Sequence, residues 1–328
     1  MAHQIYTNEA GKSSVFVVKE PAWHRLGKVL DNPATAEEAI LEAGLDFEVE
    51  IRPNYVQLAD GGFKQSKSFS TVRKDTEAIL GSRIGKRYTI LQNRDAFKFF
   101  DSVVSRDEAV YHSAGVLGNG ERIWIMAKLP DHISIKGVDN MDVYVTMFTT
   151  HDGTGVASSF IHVDRIVCNN TLQAAISSAL KTIRYRHTAG IIDQVTSGAD
   201  LLGIHNKLKD ELAEAFDYMV GIKTNKQIVG DYLQRLFPVP PTADGQPSST
   251  RVSPAIQYRA DVLECLESAA GQDMVTTEGT GFGLYNAVTY YIDHVKKYGK
   301  GDDAQLKSTW FGSAGELRQR AFELVMAL

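Results

Sequence analysis

The chain has 328 residues, 43% of them hydrophobic and 23% charged, with a net charge of −5. Those proportions suit an ordinary globular protein of one large or two smaller domains, and the overall acidity argues against indiscriminate nucleic-acid binding. No apolar run is long enough for a bilayer, and the opening MAHQIYTNEAGK lacks the apolar core of a signal peptide. Cys168 and Cys265 alone cannot build a disulfide framework or a C-x-x-C metal site. A reducing cytoplasm is the expected home.

In chain order, TAEEAILEAG predicts a first helix, opened by a Thr35-x-x-Glu38 capping box. Asp60-Gly61-Gly62, Asn119-Gly120 and Asp152-Gly153 each separate runs rich in Val, Ile, Phe and Tyr. Such dipeptides favour tight hairpin turns, so three hairpins and an antiparallel sheet are expected. Between them, NRDAFKFFDSVVS spaces Ala96, Phe97, Phe100, Val103 and Val104 helically. VDRIVCNNTLQAAI, at 163–176, reads as a strand running into a helix, with Asn169 or Asn170 placed to cap the helix amides.

From about residue 191 the pattern turns helical, with Leu201, Leu208, Leu212, Phe216 and Met219 on one face. PVPPTADGQPSST, 238–250, reads as a surface loop, and three more helices follow it. The last of these opens with a second capping box, Ser313-x-x-Glu316. The expected fold is therefore α+β: residues 1–190 form a hairpin-rich antiparallel sheet with packed helices, and 191–328 an all-helical domain.

Charge is unevenly spread. Residues 61–128 hold 12 Lys/Arg against 7 Asp/Glu, a local +5 on an acidic chain. Lys64, Lys67, Arg73 and Lys74 lie on or beside one strand, and Arg83, Lys86, Arg87 and Tyr88 follow in GSRIGKRYTILQN. A second run holds Lys181, Arg184, Tyr185, Arg186 and His187, with Arg165 before it. Cations that track phosphates beside rings that stack bases are what a single strand needs, with Tyr88 and Tyr185 the expected stacking residues. The bland alternative is a solvated face of mixed charge.

Other chemistry is thinner. GTGFGL at 279–284 follows no predicted strand and has no Lys-Ser/Thr after it, so it supports no P-loop. His162 and Asp164 share one face of a strand, with His151 and Asp152 across the hairpin, but no metal-binding spacing accompanies them. Cys168 lies before an expected helix N-terminus, where the positive dipole lowers a thiol's pKa. His162, Asp164 and Cys168 would carry a metal- or thiol-dependent hydrolase, an alternative reading. No cofactor is indicated.

PAWHRLG (21–27), FSTVRKDTEAILGSRIGKRYTILQN (69–93), RIVCNNTL (165–172), RYRHT (184–188) and NAVTYYIDHV (286–295) together resemble a phage/plasmid-like family. The segment around Trp310, Phe311 and Gly312 fits as well. That family is a domain of unknown function found in phages, prophages and plasmids, and it brings no assigned activity. The resemblance implies a host bacterial cytoplasm and a role in DNA metabolism or in interference with the host. Hairpin strands followed by a helix and a basic run are also similar, in topology alone, to Rad-fifty-two-type single-strand annealing proteins, which are ring-forming homo-oligomers. The expected function is single-stranded nucleic-acid binding or annealing, with single-stranded DNA, further copies of the chain and host or phage replication proteins as partners. A non-catalytic, host-binding counter-defence protein is the third alternative.

Overall fold

The computed structural model describes residues 5–8, 10–18, 27–104, 109–165, 181–197, 205–239, 249–299, 308 and 313–328. The chain divides into two compact units. One takes Met1–Asp131, Val143–His162 and Ala179–His205; the other takes His132–Asp142, Val163–Ser178 and Asn206–Leu328. The second unit thus includes a piece of β-hairpin as well as helices, and its boundary differs from the expected division at residue 190.

The first unit begins with β1 (Val15–Val18), β2 (Lys28–Leu30) and α1 (Ala36–Glu42). The Thr35–Glu38 capping box is formed: the Thr35 hydroxyl accepts from the Glu38 amide, and the Glu38 carboxylate accepts from the Thr35 amide. There follow β3 (Val49–Gln57), β4 (Phe63–Arg73), β5 (Ile79–Ile84) and α2 (Asn93–Val104). β6 (Val110–Leu117), β7 (Arg122–Ile135), β8 (Asp139–Thr150), β9 (Ala157–Arg165), β10 (Lys181–Tyr185) and α3 (Ile191–Ser197) come next.

All three glycine turns connect neighbouring strands, but the strands divide between two sheets. One has the order β10-β9-β8-β7-β6-β1-β2 and the other β3-β4-β5. Within the larger sheet β1–β6, β6–β7 and β9–β10 are antiparallel, while β1 and β2 pair in parallel. Trp124, Tyr111, Phe16, Phe97, Phe99, Phe100 and Phe148 are fully buried and form the core of this unit. Ala96, Phe97 and Phe100 of α2 are buried as its spacing predicts.

The small sheet meets the β8–β9 turn at close range. A Cβ on Gly81 would lie 2.6 Å from the Asp152 carbonyl oxygen, so only glycine permits β5 to approach there. The Thr71 hydroxyl donates to the His151 carbonyl at 2.6 Å, a second tie between the same segments.

The second unit holds α4 (His205–Gly221), α5 (Lys226–Leu236), α6 (Ser249–Ser268), α7 (Gly281–Tyr290) and α8 (Ser313–Met326). α7 runs on into a wide π-turn over Tyr291–Val295. Leu212, Phe216 and Met219 of α4 are buried, and α6 begins at Ser249, inside the expected 238–250 loop. The glycines of GTGFGL serve packing: a Cβ on Gly283 would overlap the Thr277 carbonyl, and one on Gly281 would press on Val325, Ile222 and the Met219 carbonyl. Asp139 accepts from the Thr276 hydroxyl at 2.9 Å, and Asp217 from the Lys136 amide at 3.1 Å. These bonds tie the 132–142 hairpin end to its helices within the second unit. No helix among the described residues is long and apolar enough to cross a membrane.

Candidate nucleic-acid interface

After β5 the chain makes a tight turn in which the Tyr88 amide donates to the Gly85 carbonyl at 3.1 Å. Lys86 and Arg87 occupy its two corner positions, the most outward places in such a turn, and both are exposed. The turn is then fastened to the end of β10. The Thr89 amide donates to the His187 carbonyl at 2.9 Å, and His187 Nδ1 lies 3.1 Å from the Thr89 carbonyl. A carbonyl only accepts, so Nδ1 carries the proton and Nε2 faces the Thr149 hydroxyl at 3.4 Å as an acceptor. Burial lowers the His187 pKa, so the ring serves this joint as a neutral imidazole. The Tyr88 ring stacks on His187 with centroids 4.8 Å apart, and its hydroxyl donates to the Thr150 carbonyl at 3.0 Å.

β10 is an edge strand with strict alternation. Tyr185 and, just beyond the strand's end, His187 are buried, while Arg184 and Arg186, the residue before each, are exposed. The Thr89–His187 joint therefore brings the chain segment that carries Lys86 and Arg87 to the segment that carries Arg184 and Arg186. The two basic runs, about a hundred positions apart in the chain, meet within one unit.

The structure also reassigns several expected contacts. Arg73 is only 5% exposed. Its guanidinium bonds both Asp75 oxygens at 2.7 and 2.9 Å and the Asn119 carbonyl at 3.0 Å, between the rings of Tyr6 and Phe47. It anchors the small sheet and offers nothing to a phosphate. Lys74 is exposed but paired with Glu48 at 2.7 Å. Tyr185 is buried, with its hydroxyl 2.9 Å from that of Ser159, and Tyr88 spends one face on His187, so neither is a free stacking surface. His162, Asp164 and Arg165 lie in β9, but their side chains, and Cys168 altogether, fall outside the described residues. Lys64, Lys67, Arg83, Lys86, Arg87, Arg184 and Arg186 remain exposed and without an ion pair among the described residues.

Two organising residues escape a reading by charge. His187 makes the joint. Asn93, at the start of α2, donates to the Leu45 and Phe47 carbonyls and turns its oxygen to His151 Nε2 at 2.9 Å. Since that oxygen only accepts, His151 is protonated on Nε2, leaving Nδ1 buried without a partner among the described residues. Burial, and secondarily the neighbouring His187, push the His151 pKa down to about 3. Among the described residues no group of His, Cys, Asp and Glu is placed to hold a metal ion.

These features define a mixed α+β protein with several sheet strands, helices mostly in the C-terminal half, and several exposed cations on its first unit. The chain belongs to the family described as a domain of unknown function (DUF932), which matches residues 80–311, more than two thirds of its length. The matched span contains Arg83, Lys86, Arg87, Arg184 and Arg186 but not the β3–β4 hairpin. No curated protein and no solved structure matches the chain.

Proposed function

We propose that the protein binds single-stranded nucleic acid on the face where the 85–88 turn docks against the end of β10, and that it acts in strand protection or annealing. The observation that supports this reading is the Thr89–His187 joint, which fastens the turn bearing the exposed Lys86 and Arg87 to the end of the strand bearing the exposed Arg184 and Arg186. Guanidinium and ammonium groups with no carboxylate partner are the groups that release counterions when they meet phosphates. The mobile-element setting implied by the phage/plasmid-like resemblance, and assembly of several copies on one strand, belong to the same proposal.

The test is binding of a labelled 30-nucleotide strand by the full-length protein across a salt series. Wild type binds at low ionic strength and is displaced as salt rises. Charge reversal at Arg87 and at Arg184 (Arg87→Glu, Arg184→Glu) each weakens binding and flattens the salt dependence. Absence of salt-dependent binding by wild type at low ionic strength ends the proposal.

A further inference from the structure

We infer that the outer half of the β3–β4 hairpin is a base-stacking arm, with Tyr55 and Phe63 receiving the unstacked bases of a single strand. The inference rests on the nucleic-acid reading above and adds a second, uncharged contact to it. Beyond an irregularity between Pro53 and Tyr55, the register pairs Tyr55 with Gln65, Val56 with Lys64 and Gln57 with Phe63. Residues opposite one another share a face, so Tyr55, Gln57, Phe63 and Gln65 lie together. Tyr55 is 58% exposed and Phe63 71%.

Two exposed rings on one face of a polar hairpin are unusual. Behind that face, Asn54, Ser66, Ser68 and Ser70 bond to one another, and Asn54 also reaches the Ser82 carbonyl at 2.9 Å. The serines and Asn54 are thus satisfied on one side, which also carries the exposed Val56, while the two rings stand in solvent beside Gln57 and Gln65 on the other. Tyr55 and Phe63 are diagonal neighbours, a relation that sets side chains about 7 Å apart, room for a flat base between or across the rings.

Charge chooses the occupant. Lys67 shares the parity of the ring face and Lys64 lies on the opposite face beside Val56, both lysines unpaired among the described residues, and the one acid of the outer arm, Asp60, turns an oxygen to the Gly62 amide. A second copy of the arm would bring lysines against lysines, whereas a strand of nucleic acid supplies phosphates for the lysines and π-faces for the rings.

The test compares full-length wild type with Tyr55→Ala, Phe63→Ala and Phe63→Trp on a labelled thymidine strand, on a duplex of equal length, and on an abasic strand with the same phosphates. Each alanine variant is expected to weaken thymidine-strand binding roughly tenfold with an unchanged salt slope. Phe63→Trp is expected to bind as wild type, and all variants to bind the abasic strand and the duplex alike. Thymidine-strand affinities that ignore the ring truncations, in a wild type that binds with normal salt dependence, overturn the stacking arm alone. So does an alanine variant whose sedimentation changes while its affinity per molecule does not, since a second copy would then be the occupant. Failure of wild type to bind any strand removes this inference together with the reading beneath it.

Discussion

Arg73 meets two aromatic rings, a carboxylate and a main-chain carbonyl, a set that no phosphate can improve on. Replacing it by alanine leaves the Asn119 carbonyl without this donor and Asp75 without its counter-charge. Arg73→Ala is expected to cost about 3 kcal/mol in denaturant unfolding, while binding per folded molecule stays at the wild-type level. His151 makes the opposite kind of demand. Its folded pKa of about 3 lies far below the roughly 6.5 of an exposed imidazole. Between those values the unfolded chain takes up a proton that the folded chain refuses. The stability that His151 contributes is therefore full above about pH 6.5 and drains as pH falls toward 3, by up to about 1.4 kcal/mol per pH unit. His187, also lowered by burial, acts in the same direction. His151→Gln keeps a donor toward Asn93 and is expected to flatten the decline of the urea midpoint between pH 6.5 and 4.5. Asp75 and Glu77, whose pKa values are lowered by hydrogen bonds from Arg73 and Arg52, lose their contribution only below that window. An unchanged slope in the variant would assign the acid sensitivity elsewhere.

Elements were legible where local chemistry decides them. The Thr35 box, the glycine turns and the Ala96, Phe97 and Phe100 part of the α2 stripe follow from neighbours in the chain, and the structure repeats them; the side chains of Val103 and Val104 lie outside the described residues. Strand partition was not legible, because the same hairpin signal serves a strand of either sheet, and closeness at Gly81 appears only in three dimensions. The candidate site was half legible for the same reason. The cations of 83–87 and 184–186 could be read from composition, but Tyr88 and Tyr185 also looked like free rings until Thr150, His187 and Ser159 claimed them. Burial, not residue type, separates those tyrosines from Tyr55. The joint itself carries a prediction at this scale. His187→Ala removes the stacked ring and the Nδ1 bond to Thr89 but keeps every cation. Amide exchange at Thr89 is expected to quicken and strand affinity to fall several-fold, with the salt slope nearly unchanged because the number of available charges is the same. Loss of slope in that variant would mean that His187 itself bears charge toward the ligand.

Over the whole molecule the net charge of −5 conceals the feature that matters, which is where cations lack acids. Lys12 and Lys28 are matched by Glu42, Lys74 by Glu48, Lys136 by Asp217 and Arg318 by Asp293, and Arg52 is bonded by both Glu50 and Glu77. Such pairs are already neutralised and gain little from a polyanion. Lys64, Lys67, Arg83, Lys86, Arg87, Arg184 and Arg186 are the described candidates left over, seven charges in the first unit. A single strand yields a logarithmic salt slope of about −0.7 for each phosphate neutralised, so complete engagement of these seven predicts a limit of about −5 per bound molecule. The acidic remainder of the chain repels the strand at long range, and this penalty shrinks as salt rises, which makes the observed slope shallower than the limit and never steeper. Measured slopes between −2 and −5, flags for roughly three to seven contacts, fit a surface of these residues alone. A slope well beyond −5 would demand further cations and would move the interface away from these exposed cations.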